Sequence, residues 1–217
     1  MVPSLVEIKP HLRGWIHAAS VPLILAACIV LVYLSPTAAT KAGSAVYMAS
    51  AMLLFTVSAV YHRGRWGPRT WAFLRRFDHA NIFLLIAGSY TPFTIVLLHG
   101  SARVTLLAIA WGGALLGMGF RIFWTDAPRW LYTPIYMALG WAAVAFIDQF
   151  AAAAGAVVLV LMIAGGVLYT LGGVVYGLQR PDPFPRWFGF HEVFHSFTVA
   201  AFVLHYVGVS IVTYSLR

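Results

Sequence analysis

The chain has 217 residues, of which 61% are hydrophobic, 15% are aromatic and 9% are charged. So few charged residues cannot cover a water-soluble globule of this size, and a soluble domain is excluded. The formal charge of +8 does not indicate a nucleic-acid partner, because the arginines lie in short connections between apolar segments rather than in one stripe. The sequence therefore predicts an integral membrane protein whose basic residues face lipid headgroups.

A bilayer crossing needs about 20 mostly apolar residues, and seven stretches of the chain qualify. They cover residues 14–35, 42–62, 78–98, 102–123, 130–148, 152–178 and 190–214. The first stretch follows two basic residues and resembles a signal peptide, but it is long enough to cross and is kept as a span. We therefore expect an all-α membrane protein, a seven-transmembrane helix bundle that forms a single domain over residues 1–217.

The distribution of basic residues predicts the orientation of these spans. The N-terminus and the second, fourth and sixth loops carry eleven of the 14 lysines and arginines: Lys9, Arg13, Arg63, Arg65, Arg69, Arg75, Arg76, Arg121, Arg129, Arg180 and Arg186. Because positive charge accumulates on the cytoplasmic side of multi-pass proteins, the N-terminus is expected in the cytoplasm and the C-terminus outside. The expected location is the inner (plasma) membrane.

Close helix packing is indicated by pairs of glycines at four-residue spacing. Gly113 and Gly117 lie in the fourth predicted span, and Gly173 and Gly177 lie in the sixth. Small residues one turn apart let two helix backbones approach each other within a membrane. We interpret these glycines as packing residues.

Ionisable residues within the spans converge on one membrane face. His62 closes the second span, Asp78 opens the third, and His191 and His195 lie in the first two turns of the seventh. Ser58 lies one turn deeper than His62 on the same helical face. With the predicted orientation, three helices bring these side chains to the cytoplasmic leaflet, where buried ionisable groups commonly mark a functional site.

This convergence predicts a metal site. Three imidazoles leave the fourth position of a tetrahedral ion for water, which is the pattern of catalytic rather than structural zinc. The single cysteine, Cys28, lies in an apolar run, so any metal must be held by histidine and carboxylate. Zinc is favoured, although imidazole also suits other transition metals.

Each residue also has a simpler interpretation. A histidine at a helix end can be an interfacial hydrogen-bonding group, and Asp78 can be an N-cap paired with the neighbouring arginines. Ser58 can bond back to a carbonyl of its own helix. His17, His99 and His205 lack such companions, and His205 is assigned to packing or a local hydrogen bond. The remaining histidines, His11 and His79, are kept as accessory ligand candidates.

Residues 191–195 read HEVFH, which is also the zinc signature of soluble metalloproteases, where the glutamate is the general base. Those enzymes carry the motif in a soluble domain with a further ligand downstream, so a protease is not favoured here. Glu192 lies about 100° around the helix from His191, facing the metal, an arginine or water. We favour a structural role for Glu192 and assign the general base to Asp78.

Three motifs of the chain resemble those of the haemolysin III family, the bacterial branch of the progestin and adipoQ receptor superfamily. They read SAVYH over residues 58–62, FDHANIFLLIAGSYTPF over residues 77–93, and GFHEVFH over residues 189–195. The resemblance implies seven spans and a zinc ion near the cytoplasmic face, bound by His62, His191 and His195. It also implies that Asp78 binds or activates the zinc water, with Ser58 nearby.

The leading functional hypothesis is a zinc-dependent hydrolase of a lipid amide or ester, related to membrane lipid homeostasis. The superfamily resembles the alkaline ceramidases in its Ser, Asp and His arrangement, which motivates this hypothesis. Asp78 would take a proton from the zinc-activated water, and Ser58 would orient the substrate carbonyl or stabilise the oxyanion. The expected partners are membrane lipids, including a lipid substrate or a fatty acid product.

Two other classes remain open. A non-enzymatic membrane sensor or receptor-like protein would use the zinc structurally, to tie the second, third and seventh helices together. A transporter or channel is less favoured, because the sequence has no pair of discontinuous spans and no ring of carboxylates across the bilayer.

Overall fold

The computed structural model describes residues 10–124 and 126–217, and that part of the chain is almost entirely helical. Its α-helices are α1 (Trp15–Leu34), α2 (Ala38–Arg63), α3 (Pro68–Leu97), α4 (Gly100–Phe123), α5 (Arg129–Gly140), α6 (Ile147–Leu178) and α7 (Phe190–Tyr214). A short 3-10 helix, Ala142–Phe146, joins α5 to α6. The only β-type pairing within the described residues is an isolated bridge between Phe184 and Phe188. The predicted all-α fold is confirmed for these residues.

The described helices provide six stretches long and apolar enough to cross a membrane: Trp15–Leu34, Ala38–Arg63, Pro68–Leu97, Gly100–Phe123, Arg129–Leu178 and Phe190–Tyr214. Large apolar side chains also point outward from them, such as Leu23 and Leu116, which are 73% and 78% exposed. Such a surface would be unfavourable in water and is stable in contact with lipid chains. The chain is therefore a multi-pass membrane protein. Lys9, one of the basic residues from which the orientation was predicted, lies outside the described residues.

The longest of these stretches folds back on itself at Gly155. This residue has φ 70° and ψ 159°, a conformation essentially restricted to glycine. Residues before and after Gly155 contact each other: Trp141 donates a hydrogen bond from Nε1 to Thr170 Oγ1 at 2.9 Å. A Cβ added to Gly173 would lie 3.3 Å from Met137 Sδ. Residues at similar distances before and after Gly155 thus lie together, which is the arrangement of an antiparallel helical hairpin.

Helix α3 begins ten residues before the third predicted span. Gly67 is its N-cap and Pro68 occupies the first turn, where the missing proline N–H has no helical partner to lose. The first turns are rich in arginine, so they are helical but too polar to count as a bilayer span. Asp78 consequently lies about three turns inside α3, and the interpretation of Asp78 as an N-cap is wrong.

Small residues let α3 pack closely against its neighbours at the centre of the bundle. A Cβ added to Gly117 of α4 would collide with the Phe83 ring, and one added to Gly88 would collide with Ser50. Phe83 is fully buried between α3 and α4. These close approaches hold α2, α3 and α4 side by side and so fix where the polar residues of α2 and α3 meet.

Candidate metal centre

Three histidines meet where the end of α2 approaches the start of α7. His62 lies in the last turn of α2, and His191 and His195 lie one turn apart at the start of α7. One ring nitrogen from each residue lies within 4.8 Å of the others, so the group could hold a metal ion. His62 and His195 are buried and His191 is partly buried. We call these three residues the histidine triad.

The spacing of the triad nitrogens fits a first-row transition metal. The Nε2 atoms of His62 and His191 lie 3.1 Å apart. Nitrogens bound to one tetrahedral zinc ion at about 2.0–2.1 Å are separated by about 3.3 Å. The same distance also suits a hydrogen bond between two neutral rings, so the geometry identifies a ligand set and not the identity of the ion.

A carboxylate and a hydroxyl lie beside the triad. The Asp78 Oδ2 atom is 3.8 Å from His62 Nε2, and Ser58 makes a side-chain hydrogen bond to the Asp78 carboxylate. Ser58 is buried one helical turn below His62, as its spacing predicts. A carboxylate at this distance offsets the charge of a cation held by neutral imidazoles, and it can accept a proton.

Glu192 faces an arginine and not the ligand nitrogens of the triad. Its Oε1 accepts a hydrogen bond from Arg13 Nε at 2.6 Å, and its Oε2 accepts one from the Gly189 backbone N–H at 2.9 Å. The residue has no exposed surface. It therefore caps the start of α7 and ties the segment before α1 to that helix. The HEVFH motif lacks the free glutamate that a metalloprotease mechanism needs.

His17 is a fourth histidine at the site, and the sequence analysis did not select it. Its ring stacks on His195 with centroids 3.7 Å apart and an interplanar angle of 11°. It is 2% exposed, and neither ring nitrogen has a hydrogen-bond partner within residues 10–124 and 126–217. A usable signal was its depth, because His17 lies in the first turn of α1 and the predicted orientation puts that turn in the same leaflet as the triad.

The other histidines have separate contacts. His79 is bonded through Nδ1 to the Arg75 carbonyl at 2.7 Å and through Nε2 to the Tyr176 hydroxyl at 3.1 Å. His11 packs its ring against Trp187. Neither belongs to the group of ligand nitrogens around the triad. His205 bonds to the Met162 carbonyl, a local hydrogen bond of the kind that the sequence analysis assigned to it.

A cavity of about 170 Å³ extends from the triad into the bundle. Its wall includes Asp78, about three turns inside α3, and Phe93 further along the same helix. The 15 residues between them correspond to roughly 22 Å at the helical rise of 1.5 Å per residue. Most of the wall is apolar. A long, narrow and apolar cavity with a polar end has the shape of a site for an alkyl chain.

The sequence of the chain is similar to those of known proteins. The family model described as "Haemolysin-III related" matches residues 6–206. The chain is similar to the "Hemolysin-3 homolog" of Bacillus subtilis (strain 168), with 32% identity over 154 residues that cover 71% of this chain and 69% of the relative. It is 31% identical to "Hemolysin-3" of Bacillus cereus over 186 residues, covering 84% and 82% of the two chains. A more distant similarity, 26% over 151 residues, covers 62% of this chain and 34% of the "Adiponectin receptor protein" of Drosophila melanogaster.

Proposed function

The chain belongs to the haemolysin III family within the progestin and adipoQ receptor superfamily, and from this premise we propose that it is a zinc-dependent hydrolase of a lipid amide or ester. One observation carries the proposal: His191 and His195 of the triad, with Asp78 and Ser58, line the polar end of a long apolar cavity, and His62 lies beside Asp78. Ligand nitrogens, a proton acceptor and space for an alkyl chain thus lie in one site.

The triad would hold the ion through one ring nitrogen of each histidine. Zinc is the favoured metal, because three imidazoles with an open fourth position are typical of catalytic zinc sites. When bound there, zinc supplies a Lewis acid and makes a bound water acidic enough to ionise near neutral pH. The 3.1 Å between the Nε2 atoms of His62 and His191 is close to the spacing that this ion needs, and the ligand nitrogens of all three histidines lie within 4.8 Å of one another.

Asp78 is the general base in this proposal. Its carboxylate lies on the cavity wall close to His62, within reach of a proton released beside the triad. Ser58 uses its hydroxyl on that carboxylate, so its role is to hold Asp78 in place. This contact favours a positioning role for Ser58 over the orientation of a substrate carbonyl.

The cavity would bind the alkyl chain of the lipid and bring its carbonyl to the triad. Burial of apolar surface contributes about 25 cal/mol per Å², so a chain of several methylenes gains most of its binding energy from the apolar wall. The same wall excludes water from the rest of the site, which strengthens electrostatic interactions at the polar end.

The topology that we propose has seven membrane crossings, with the N-terminus in the cytoplasm and the C-terminus outside. The helical hairpin at Gly155 supports this count, because it divides the stretch Arg129–Leu178 into two antiparallel arms. The triad end of the bundle carries Arg13 and Arg63, which supports a cytoplasmic position for the metal site in the inner membrane.

Metal content and lipid hydrolysis, measured on the purified full-length protein in detergent, test this function. We expect about one zinc ion per chain, lost in His62→Ala and retained in His99→Ala, a matched control at an exposed histidine. Asp78→Asn should retain the metal, because the triad is intact, but should release fatty acid from ceramide or ester substrates at least about a hundredfold more slowly. Unchanged release by Asp78→Asn would overturn the hydrolase mechanism.

A structural metal in a non-enzymatic membrane sensor is the second candidate. It is favoured by the observation that the triad joins α2 to α7 at the point where Glu192 and Arg13 already tie α7 to the chain before α1. In that case His62→Ala lowers the thermal stability, whereas Asp78→Asn changes neither stability nor lipid turnover.

A further inference from the structure

A buried arginine at the triad end of the bundle has no carboxylate partner. Arg121 lies in the last turn of α4 and is 2% exposed. Within the described part of the chain it forms no ion pair; one Nη1 hydrogen bond reaches the Trp124 carbonyl at 3.3 Å, and Nε has no partner. An unpaired buried charge is costly, so such a group commonly faces a ligand or a counterion.

Two further arginines, Arg129 and Arg75, lie in the same part of the bundle as Arg121. The Arg121 guanidinium lies 4.1 Å from the centre of the Tyr132 ring, and the Arg129 guanidinium lies 5.3 Å from the centre of the Tyr176 ring. Among the described residues, the ion-pair partner of Arg75 is Asp126, whose side chain is 86% exposed. An ion pair so close to water is weak and neutralises little of the positive charge.

The two tyrosines beside these arginines are hydrogen-bonded within their own network and not to Arg121 Nε. His79 Nδ1 faces the Arg75 carbonyl, which only accepts, so this nitrogen carries the proton and His79 Nε2 accepts from the Tyr176 hydroxyl. The Tyr176 oxygen then accepts from the Tyr132 hydroxyl at 3.1 Å. Both hydroxyl protons are therefore committed within the network, and the two rings act as platforms for the guanidinium groups.

We propose that Arg121 and Arg129, assisted by Arg75, bind the phosphate of an anionic lipid headgroup. Guanidinium groups match phosphate oxygens with paired hydrogen bonds, and the anion would supply the acceptor that Arg121 Nε lacks. Arg121 lies at the end of α4, Arg129 at the start of α5 and Arg75 in α3, and a lipid of the same leaflet would approach them from the side of these helices.

This site is separate from the cavity of the proposed hydrolase but adjoins it. Tyr176 and His79 belong to the cavity wall, and the Tyr176 ring lies 5.8 Å from the His191 ring. The headgroup would thus occupy the outer side of the tyrosine network while the triad lies on its inner side. The proposal does not depend on hydrolysis or on a bound metal.

Native mass spectrometry of the full-length protein in a neutral detergent tests the site, with phosphatidylglycerol as the probe and phosphatidylcholine as the uncharged comparison. We expect one tightly bound phosphatidylglycerol, with affinity reduced at least about tenfold in Arg121→Gln and in Arg129→Gln. The matched control is Arg65→Gln, an exposed arginine outside the cluster, which should bind as the wild type does.

Three results would overturn the proposal. Equal binding of phosphatidylcholine would show that the negative charge is not recognised. Displacement of the lipid by millimolar inorganic phosphate would identify the source of the anion as free phosphate and not a lipid. Binding of phosphatidylglycerol by Arg129→Gln with the wild-type affinity would show that the arginine cluster does not bind the lipid. Because this variant is tested separately, the experiment stays decisive if Arg121→Gln does not fold.

Discussion

Glu192 and His17 show how two buried polar residues beside the triad take different roles. Both oxygens of Glu192 are used, one by Arg13 and the other by the Gly189 N–H. Neither nitrogen of His17 is hydrogen-bonded to any described residue, although its ring is stacked on His195. Glu192 therefore stabilises the start of α7, whereas His17 holds the His195 ring and presents polar atoms to the cavity.

Replacement of Glu192 by Gln separates these roles by experiment. The amide can still accept a bond from Gly189, but it loses the charged partner of Arg13, and we expect the protein to be destabilised by roughly 1.5–3 kcal/mol. Metal content should not change, because Glu192 does not reach the triad. Thermal unfolding and zinc analysis of the purified variant measure both effects.

Asp126→Asn is the matched control for that experiment, because Asp126 pairs with Arg75 at an exposed position. Its effect on stability should be at most about 1 kcal/mol. Loss of zinc in Glu192→Gln with little loss of stability would contradict the structural role and return Glu192 to the metal site.

At two elements of the fold, the helix boundaries in the structure differ from the span boundaries that hydropathy predicts. Helix α3 continues through an arginine-rich segment that a hydropathy window excludes, and this places Asp78 inside the helix. The helical hairpin turns at Gly155, a few residues beyond the boundary expected between the fifth and sixth spans. In both places the backbone geometry is set by a single proline or glycine rather than by the number of apolar residues.

Gly155→Ala tests the hairpin. At φ 70° and ψ 159° a Cβ is strained even though no atom lies within 4 Å, so we expect a loss of about 1–3 kcal/mol in stability. Gly112→Ala is the control, since it lies within α4, also has no atom within 4 Å, and should be neutral or slightly stabilising. Equal thermal stability of the two variants would show that the turn at Gly155 is not strained.

At the scale of the whole molecule, the buried polar groups of the metal site and the arginines near them collect at one end of the bundle. The triad, Glu192 with Arg13, and the arginines of α4 and α5 lie at the same end of the bundle, so the metal site and the lipid site would face one leaflet. Cys28 is fully buried, so the native chain offers no thiol to a membrane-impermeant reagent. Cysteines introduced in the loops can therefore report the topology directly.

Single substitutions Arg65→Cys and Ser101→Cys place exposed thiols at opposite ends of the bundle. In right-side-out vesicles we expect a membrane-impermeant maleimide to label Ser101→Cys at once and Arg65→Cys only after permeabilisation, because the positive-inside rule predicts a cytoplasmic basic end. The unmodified chain, in which Cys28 is shielded, should stay unlabelled in both conditions. The reverse pattern would overturn the predicted orientation.

Sequence alone determined the membrane class and the residues of the triad. The hydropathy of a segment is a sum over its residues and does not depend on how the helices pack, so it identifies the membrane spans. The helical rise per residue then gives the depth of each side chain along its span, so His62, His191 and His195 could be assigned to one face of the membrane. Only the tertiary structure decided the direction of each side chain around its helix, because that depends on how neighbouring helices pack. The stacking of His17, the pairing of Glu192 and the unpaired burial of Arg121 all depend on that packing.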